Sequence, residues 1–226
     1  MSHQLHINRI TSVAEALGEL NNEVVYVGGA AVSLYVPADK TAQVRPTVDV
    51  DVVVELASYS EYAILYEQLT AKGFVQSHED TVICRFRLQR LIVDIMSTQD
   101  IGMGIPNQWY VNGFKTARWH EINPSTSIRI FTPAYFLATK FNAYFDRGWQ
   151  DPYASKDLED IIFLIDNCLH LAASVTISDD LLRTGLNAYA QRLNQHRNLT
   201  DLILGHLSGQ HQTERLRRVV NFIRDL

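Results

Sequence analysis

Cysteine is scarce: the 226 residues hold two, Cys84 and Cys168, each inside an apolar pattern. That is too few for a disulfide framework, and both are expected to be buried, reduced thiols of a cytoplasmic protein. Long apolar runs are also missing. The longest, such as residues 161–165, fall far short of the ~20 residues that span a bilayer, so no membrane partner is expected. Met1-Ser2-His3-Gln4 lacks the basic stretch and apolar core of a signal peptide. The eight histidines show neither H-E-x-x-H nor Cys/His ligand spacing, which argues against zinc, and His3 and His6 are expected on a mobile terminus. There is no G-x-x-x-x-G-K-[ST] loop and no G-x-S-x-G elbow. A basic excess is absent as well. The net charge is −5, which excludes a generic nucleic-acid sponge. The charge is uneven, with 7 basic and 13 acidic residues over 1–113 against 13 and 12 over 114–226.

The rest is ordinary for a globular protein, with 46 % apolar and 20 % charged residues. At this length a chain buries about 70 % of its unfolded surface and needs no staple. Helical spacing of Ile10, Val13, Leu17 and Leu20 predicts a helix over 9–21, and strands are predicted at 23–27 and 48–55. A short helix is expected at 30–35 and another over 59–72, closed by Gly73. Residues 81–88 and 91–96 read as a hairpin. If it turns at Gln89-Arg90, Leu88 faces Leu91 and Arg85 faces Asp94. One more strand is expected at 127–131, with helices over 133–146, 156–169, 179–195, 199–207 and 213–225. The pattern predicts an α+β fold, a mixed sheet flanked by helices and followed by a helical C-terminal half. The boundary falls near 123–125 or just before Pro133, giving a core over 1–131 and a helical region over 132–226.

The chemistry-bearing segment is Arg45-Pro46-Thr47-Val48-Asp49-Val50-Asp51. Residues i and i+2 of a strand share a face, so Asp49 and Asp51 lie side by side, with Thr47 behind them and Val48, Val50 and Val52 opposite. Two like charges so placed want a cation between them, and Mg²⁺ prefers carboxylate and phosphate oxygens. The alternative is a solvated edge. Asp94, within Leu91-Ile92-Val93-Asp94-Ile95-Met96, is a lone acid among apolar neighbours, costly unless it binds metal or pairs with Arg85. Gly28-Gly29 ends a strand and opens a helix, a geometry that admits phosphate, although most such pairs are only turns. Gly102-Met103-Gly104 reads as loop. Trp109, Tyr110 and Trp119 read as core or lid. Lys140 lies at the edge of an apolar helix face, where it snorkels or meets phosphate. Asp157 and Asp160 near a helix start suit the macrodipole, with Ser155 as cap, or let Asp157 orient Lys140 or Arg147. Arg215, Arg217, Arg218 and Arg224 form the best local basic patch.

Gly28-Gly29, then R-x-T-x-D-x-D, then a lone strand Asp resembles the nucleotidyltransferase (DNA polymerase β-like) superfamily. The Gly-to-Asp spacing and Arg45 and Thr47 resemble its AbiEii/AbiGii toxin-type branch. Further matching segments are Val93-Asp94-Ile95-Met96, Asn107-Gln108-Trp109-Tyr110, Phe136-Leu137-Ala138-Thr139-Lys140, Arg147-Gly148 and Ser155-Lys156-Asp157-Leu158-Glu159-Asp160-Ile161. Together they span 24–166. The chain departs from the pattern at Ala30, where many such proteins carry Ser after Gly-Gly. The resemblance implies an NTP-dependent, pyrophosphate-releasing transferase with Mg²⁺ or Mn²⁺ on Asp49, Asp51 and Asp94. It implies nucleotide contacts from Gly28, Gly29, Arg45, Thr47, Lys140, Arg147 and Asp157. It also implies an RNA acceptor such as a tRNA end, and a cognate antitoxin. A small-molecule acceptor, or a catalytically silent nucleotide-binding or interaction module, is the alternative.

Overall fold

A computed structural model of the protein describes residues 2–101 and 107–226. The Gly102-Met103-Gly104 segment lies outside them. Two compact units emerge, Met1–Leu34 with Arg45–Thr132, and Tyr35–Val44 with Pro133–Leu226.

The first unit is built on a mixed sheet. Its strands are β1 (Val24–Val27), β2 (Asp49–Val54), β3 (Phe74–Val75), β4 (Arg85–Leu88), β5 (Leu91–Ser97), β6 (Arg118–Asn123) and β7 (Thr126–Ile130), in the order β3-β4-β5-β2-β1-β7-β6. β1 and β2 are antiparallel, whereas β2 and β5 run parallel at the centre. The central strands are near-continuous runs of valine and isoleucine because both faces are covered. The helices of this unit are α1 (Ser2–Leu17), α2 (Gly28–Ala31), α3 (Tyr59–Ala71) and α4 (Tyr110–Lys115). Ser58 caps α3 by accepting the Glu61 N–H.

Several expectations need correction. α1 starts well before residue 9, so His6 is a fully buried member of the stripe formed by Ile10, Val13 and Leu17, not part of a mobile end. The expected helix over 30–35 is α2 followed by a 3₁₀ turn. Residues 124 and 125 are the turn of the β6–β7 hairpin, so the units do not divide there. Val48 precedes β2 and is exposed rather than packed with Val50 and Val52. Trp109 and Tyr110 are core, but Trp119 is 57 % exposed on the edge strand β6. The β4–β5 hairpin has the expected register, Leu88 opposite Leu91 and Arg85 opposite Asp94. Its turn places Gln89 at φ 55°.

The second unit is helical, with α5 (Pro133–Ala143), α6 (Lys156–Asn167), α7 (Leu171–Thr176), α8 (Asp180–Asn194), α9 (Leu199–His206) and α10 (Gln212–Asp225). Phe136, Leu137 and Phe141 of α5 and Leu158, Ile161 and Ile162 of α6 are fully buried. A π-helical turn over Tyr144–Gly148 continues α5. The basic patch on α10 is half spoken for. Arg215 and Arg218 both donate to the buried Asp166, at 2.6 and 3.0 Å.

Asp179 caps α8 by accepting the Leu182 N–H at 2.9 Å, and it accepts the Tyr135 hydroxyl at 2.6 Å. The Tyr135 bond first, then the Leu182 bond, holds this carboxyl below the ordinary carboxylate range. A lowered folded value stabilises the fold above the unfolded pKa, and the gain is lost as pH falls through the folded value. Asp179→Ala should therefore cost about 1–2 kcal/mol at neutral pH, with the difference shrinking on acidification. Urea unfolding of both proteins at pH 7 and pH 3 checks this.

Candidate active site

Two neighbouring strands, β2 and β5, bring the acids together. Asp49 and Asp51 stand on one face of β2 because the strand alternates. The parallel register of β5 pairs Asp51 with Asp94 and Asp49 with Ile92, so Asp94 comes up on the same face. One oxygen from each of Asp49, Asp51 and Asp94 lies within 4.8 Å of the others. Mg²⁺ binds oxygen at about 2.1 Å, so opposite ligands sit about 4.2 Å apart. Adjacent octahedral ligands sit closer still, about 3 Å apart, so the three oxygens must draw together to share one ion; the all-oxygen donor set suits Mg²⁺ or Mn²⁺.

Asp49 and Asp94 are also held by neighbouring side chains. The Thr47 hydroxyl donates to Asp49, which puts it beside the acids as the strand pattern implied. The Thr47 backbone is fixed from α1, its N–H donating to His6 Nε2 at 3.2 Å and its carbonyl accepting from Arg9. Sequence reasoning missed His6 and Arg9. The available signal was their place on α1, with His6 one turn before Ile10. Arg85 donates to both oxygens of Asp94, Nε to Oδ1 and Nη2 to Oδ2, each at 2.8 Å. The ion pair and the three-acid cluster thus coexist; they were not alternatives. Asp94 is 8 % exposed. Nearby, burial first and then the charges of Asp94 and Asp51 push the Cys84 thiol up to about 11, so it is a neutral, inert group at pH 7.

The two glycines make room for side chains of the site. Gly28 has φ 70°, and a Cβ there would lie 1.8 Å from Asp51 Oδ2. It leaves room for a carboxylate. At Gly29 a Cβ would come within 2.7 Å of Arg45 Nη2, so the Arg45 guanidinium stands over this residue. α2 is only four residues long, a slight helix for cradling phosphate.

Within the second unit, Lys140, Arg147, Asp157 and Asp160 form one network. Lys140 is buried and donates to Asp160 at 2.7 Å, with Asp157 at 3.7 Å. Asp157 accepts a fork from Arg147, at 2.8 and 3.1 Å. Asp157 therefore touches both cations it was expected to orient. Asp160, taken only as a helix-start acid, is the nearer partner of Lys140. Ser155 caps α6 by accepting the Leu158 N–H, as expected. Removing Asp160 takes the nearer carboxylate from a buried charge and leaves Lys140 only Asp157, at 3.7 Å and already forked by Arg147. Asp160→Ala should destabilise the protein by about 3 kcal/mol, whereas Lys140→Met with Asp160→Leu should be near neutral. Thermal unfolding of the single and double variants decides this.

Similarity to known proteins supports the architecture. No protein-family model matches the chain, and no curated protein matches it. Solved structures do. An antigenic nucleotidyltransferase-like protein from Paracoccidioides brasiliensis superposes with a TM-score of 0.54 at 18 % identity, covering 95 % of this chain and 99 % of that one. The antibiotic-resistance factor ANT(2'')-Ia gives 0.51 at 15 % identity, covering 87 % and 98 %. At these identities the likeness establishes a shared fold, here a nucleotidyltransferase-like one.

Proposed function

We propose that the protein is a Mg²⁺-dependent nucleotidyltransferase, moving a nucleotide from an NTP to an acceptor hydroxyl and releasing pyrophosphate. The observation behind this reading is the cluster of Asp49, Asp51 and Asp94 within 4.8 Å on adjacent strands. Asp49 and Asp51 would hold Mg²⁺, or Mn²⁺, with Asp94 completing the set. When bound, the cation supplies charge neutralisation for the triphosphate and the acceptor oxygen. The chain's own groups do the positioning. Thr47 fixes the Asp49 rotamer, Gly28 leaves the space that Asp51 needs, and Arg45 over Gly29 brings positive charge to a phosphate. The catalytic core is proposed to span 1–131. From the helical region over 132–226, Lys140 and Arg147 are proposed to bind the nucleotide phosphates, with Asp157 orienting both. The Arg147 side chain, 60 % exposed, is the more accessible of the two cations.

Resemblance to AbiEii-type toxins favours an RNA acceptor, such as a tRNA end, and control by an antitoxin. A small-molecule hydroxyl is the second reading. It is favoured by the net charge of −5 and by the engagement of Arg215 and Arg218 with Asp166, which weakens the best basic patch. The deciding experiment incubates the protein with each α-labelled NTP, Mg²⁺ and either total RNA or a panel of polyhydroxylated small molecules. Label on RNA supports the first reading and label on a small molecule the second. Pyrophosphate release with neither, or no turnover with any NTP, counts against both.

A further inference from the structure

We propose that Arg85 is a positioning residue of the carboxylate centre, locking Asp94 in place and limiting the centre to one divalent cation before nucleotide binds. This rests on the transferase reading above and specifies how its metal site is built.

The geometry is a fork on a carboxylate. Arg85 and Asp94 are directly opposed across the antiparallel β4–β5 hairpin, so their side chains leave the sheet on one face. Both Asp94 oxygens accept from the guanidinium at 2.8 Å. A bidentate pair of this kind fixes the plane of the carboxylate as well as its position. Each oxygen keeps a lone pair that can face a metal, but the group cannot swing to follow a hydroxyl. Asp94 is thereby a fixed ligand and not a mobile proton acceptor. The Arg85 guanidinium carries a permanent positive charge, as arginine does throughout the accessible pH range.

Charge counting then sets the stoichiometry. Asp49, Asp51 and Asp94 contribute −3, and Arg85 returns +1, leaving −2 at most. Arg45, standing over Gly29 next to the Gly28–Asp51 contact, lowers the excess further. One divalent cation neutralises such a centre. A second would face a neutral or positive site until a triphosphate arrives with its own negative charge. Arg87, two residues along the same strand, does not share the task, because it is forked onto Asp80 at 2.9 and 2.8 Å.

The test titrates Mn²⁺ alone into the full chain, counting bound ion by electron paramagnetic resonance. Wild type should bind one equivalent. Arg85→Gln removes the offsetting charge and should bind Mn²⁺ at least about tenfold more tightly. Arg85→Lys keeps the charge but loses the fork, so it should bind one equivalent no more tightly than wild type. In both variants kcat for transfer should fall, because Asp94 is no longer held. Arg85→Gln thus reads the charge, and Arg85→Lys reads the fork: its kcat should fall although its Mn²⁺ affinity does not rise. Two tight equivalents in nucleotide-free wild type overturn the proposal, as does an Arg85→Gln affinity no higher than wild type while one Mn²⁺ still binds. In that second outcome the transferase reading stands. If no variant binds Mn²⁺, the metal-centre reading falls and takes this proposal with it. Should Arg85→Gln fail to fold, the wild-type count decides alone, one equivalent supporting the proposal and two overturning it.

Discussion

Asp51→Asn should abolish nucleotidyl transfer while leaving the fold as stable as before, or more so. The two effects have opposite signs for one reason. Asp51 is the middle member of the cluster, paired in register with Val27 on one side and Asp94 on the other, and its carboxylate shares a 4.8 Å neighbourhood with those of Asp49 and Asp94. In the metal-free protein that proximity is repulsive, and like charges directly opposed on neighbouring strands destabilise a sheet. An amide of the same shape relieves the repulsion. In catalysis the charge is the point. Losing one carboxylate from a site that neutralises a triphosphate should cost about 4 kcal/mol of transition-state stabilisation, roughly a thousandfold in rate. Turnover at saturating NTP, measured beside thermal unfolding in a chelator, reads both effects. Transfer within tenfold of wild type would place the chemistry elsewhere. A large drop in the unfolding temperature would make Asp51 a structural residue.

The acid cluster was legible in the sequence because strand geometry is short-ranged and periodic. Alternation put Asp49 and Asp51 on one face, and a two-residue turn at Gln89-Arg90 set the register that opposes Arg85 to Asp94. The placing of Asp94 beside Asp51 was not legible in that way. It depends on β5 lying parallel to β2, a pairing made through the intervening α3, β3 and β4. Elements that escaped notice lacked a periodic signal. β3 is two residues long, and β6, Arg118–Asn123, carries polar or charged groups at four of its six positions because it lies at an edge with little to bury. The early start of α1 was hidden by the polar run Ser2-His3-Gln4, yet that extra length is what brings His6 to Thr47, beside Arg9. In the helical half, spacing found α5, α6, α8, α9 and α10, but the pairing of Lys140 with Asp160 needed the packing of two helices twenty residues apart.

Gly28→Ala should be the most damaging single change to the site among those that leave its charges in place. A Gly-Gly pair at a strand end usually signals a turn or a phosphate loop, and either would tolerate alanine with modest loss. Gly28 meets two demands at once. Its φ of 70° lies in the left-handed region, where a Cβ costs about 1–2 kcal/mol. Its Cβ would also overlap the Asp51 carboxylate, at 1.8 Å from Oδ2, 2.4 Å from Cγ and 2.7 Å from Cβ. Asp51 cannot yield by swinging its far end, because the overlap reaches back to the root of its side chain. The strands must separate or the carboxylate must leave the cluster. Displacing a group by about an ångström is enough to cost roughly a hundredfold in rate. The expected outcome is a loss of about 2–3 kcal/mol in stability with at least that loss in turnover, and a matching loss in Mn²⁺ affinity. Gly29→Ala is the control. Its φ is not positive, and its Cβ would meet only the tip of Arg45, at 2.7 Å from Nη2. It should bind Mn²⁺ at least as tightly as wild type and lose NTP affinity instead, as the guanidinium is pushed aside. Equal effects of the two substitutions on Mn²⁺ binding would mean that Gly28 serves the turn alone and that Asp51 does not depend on the space beside it.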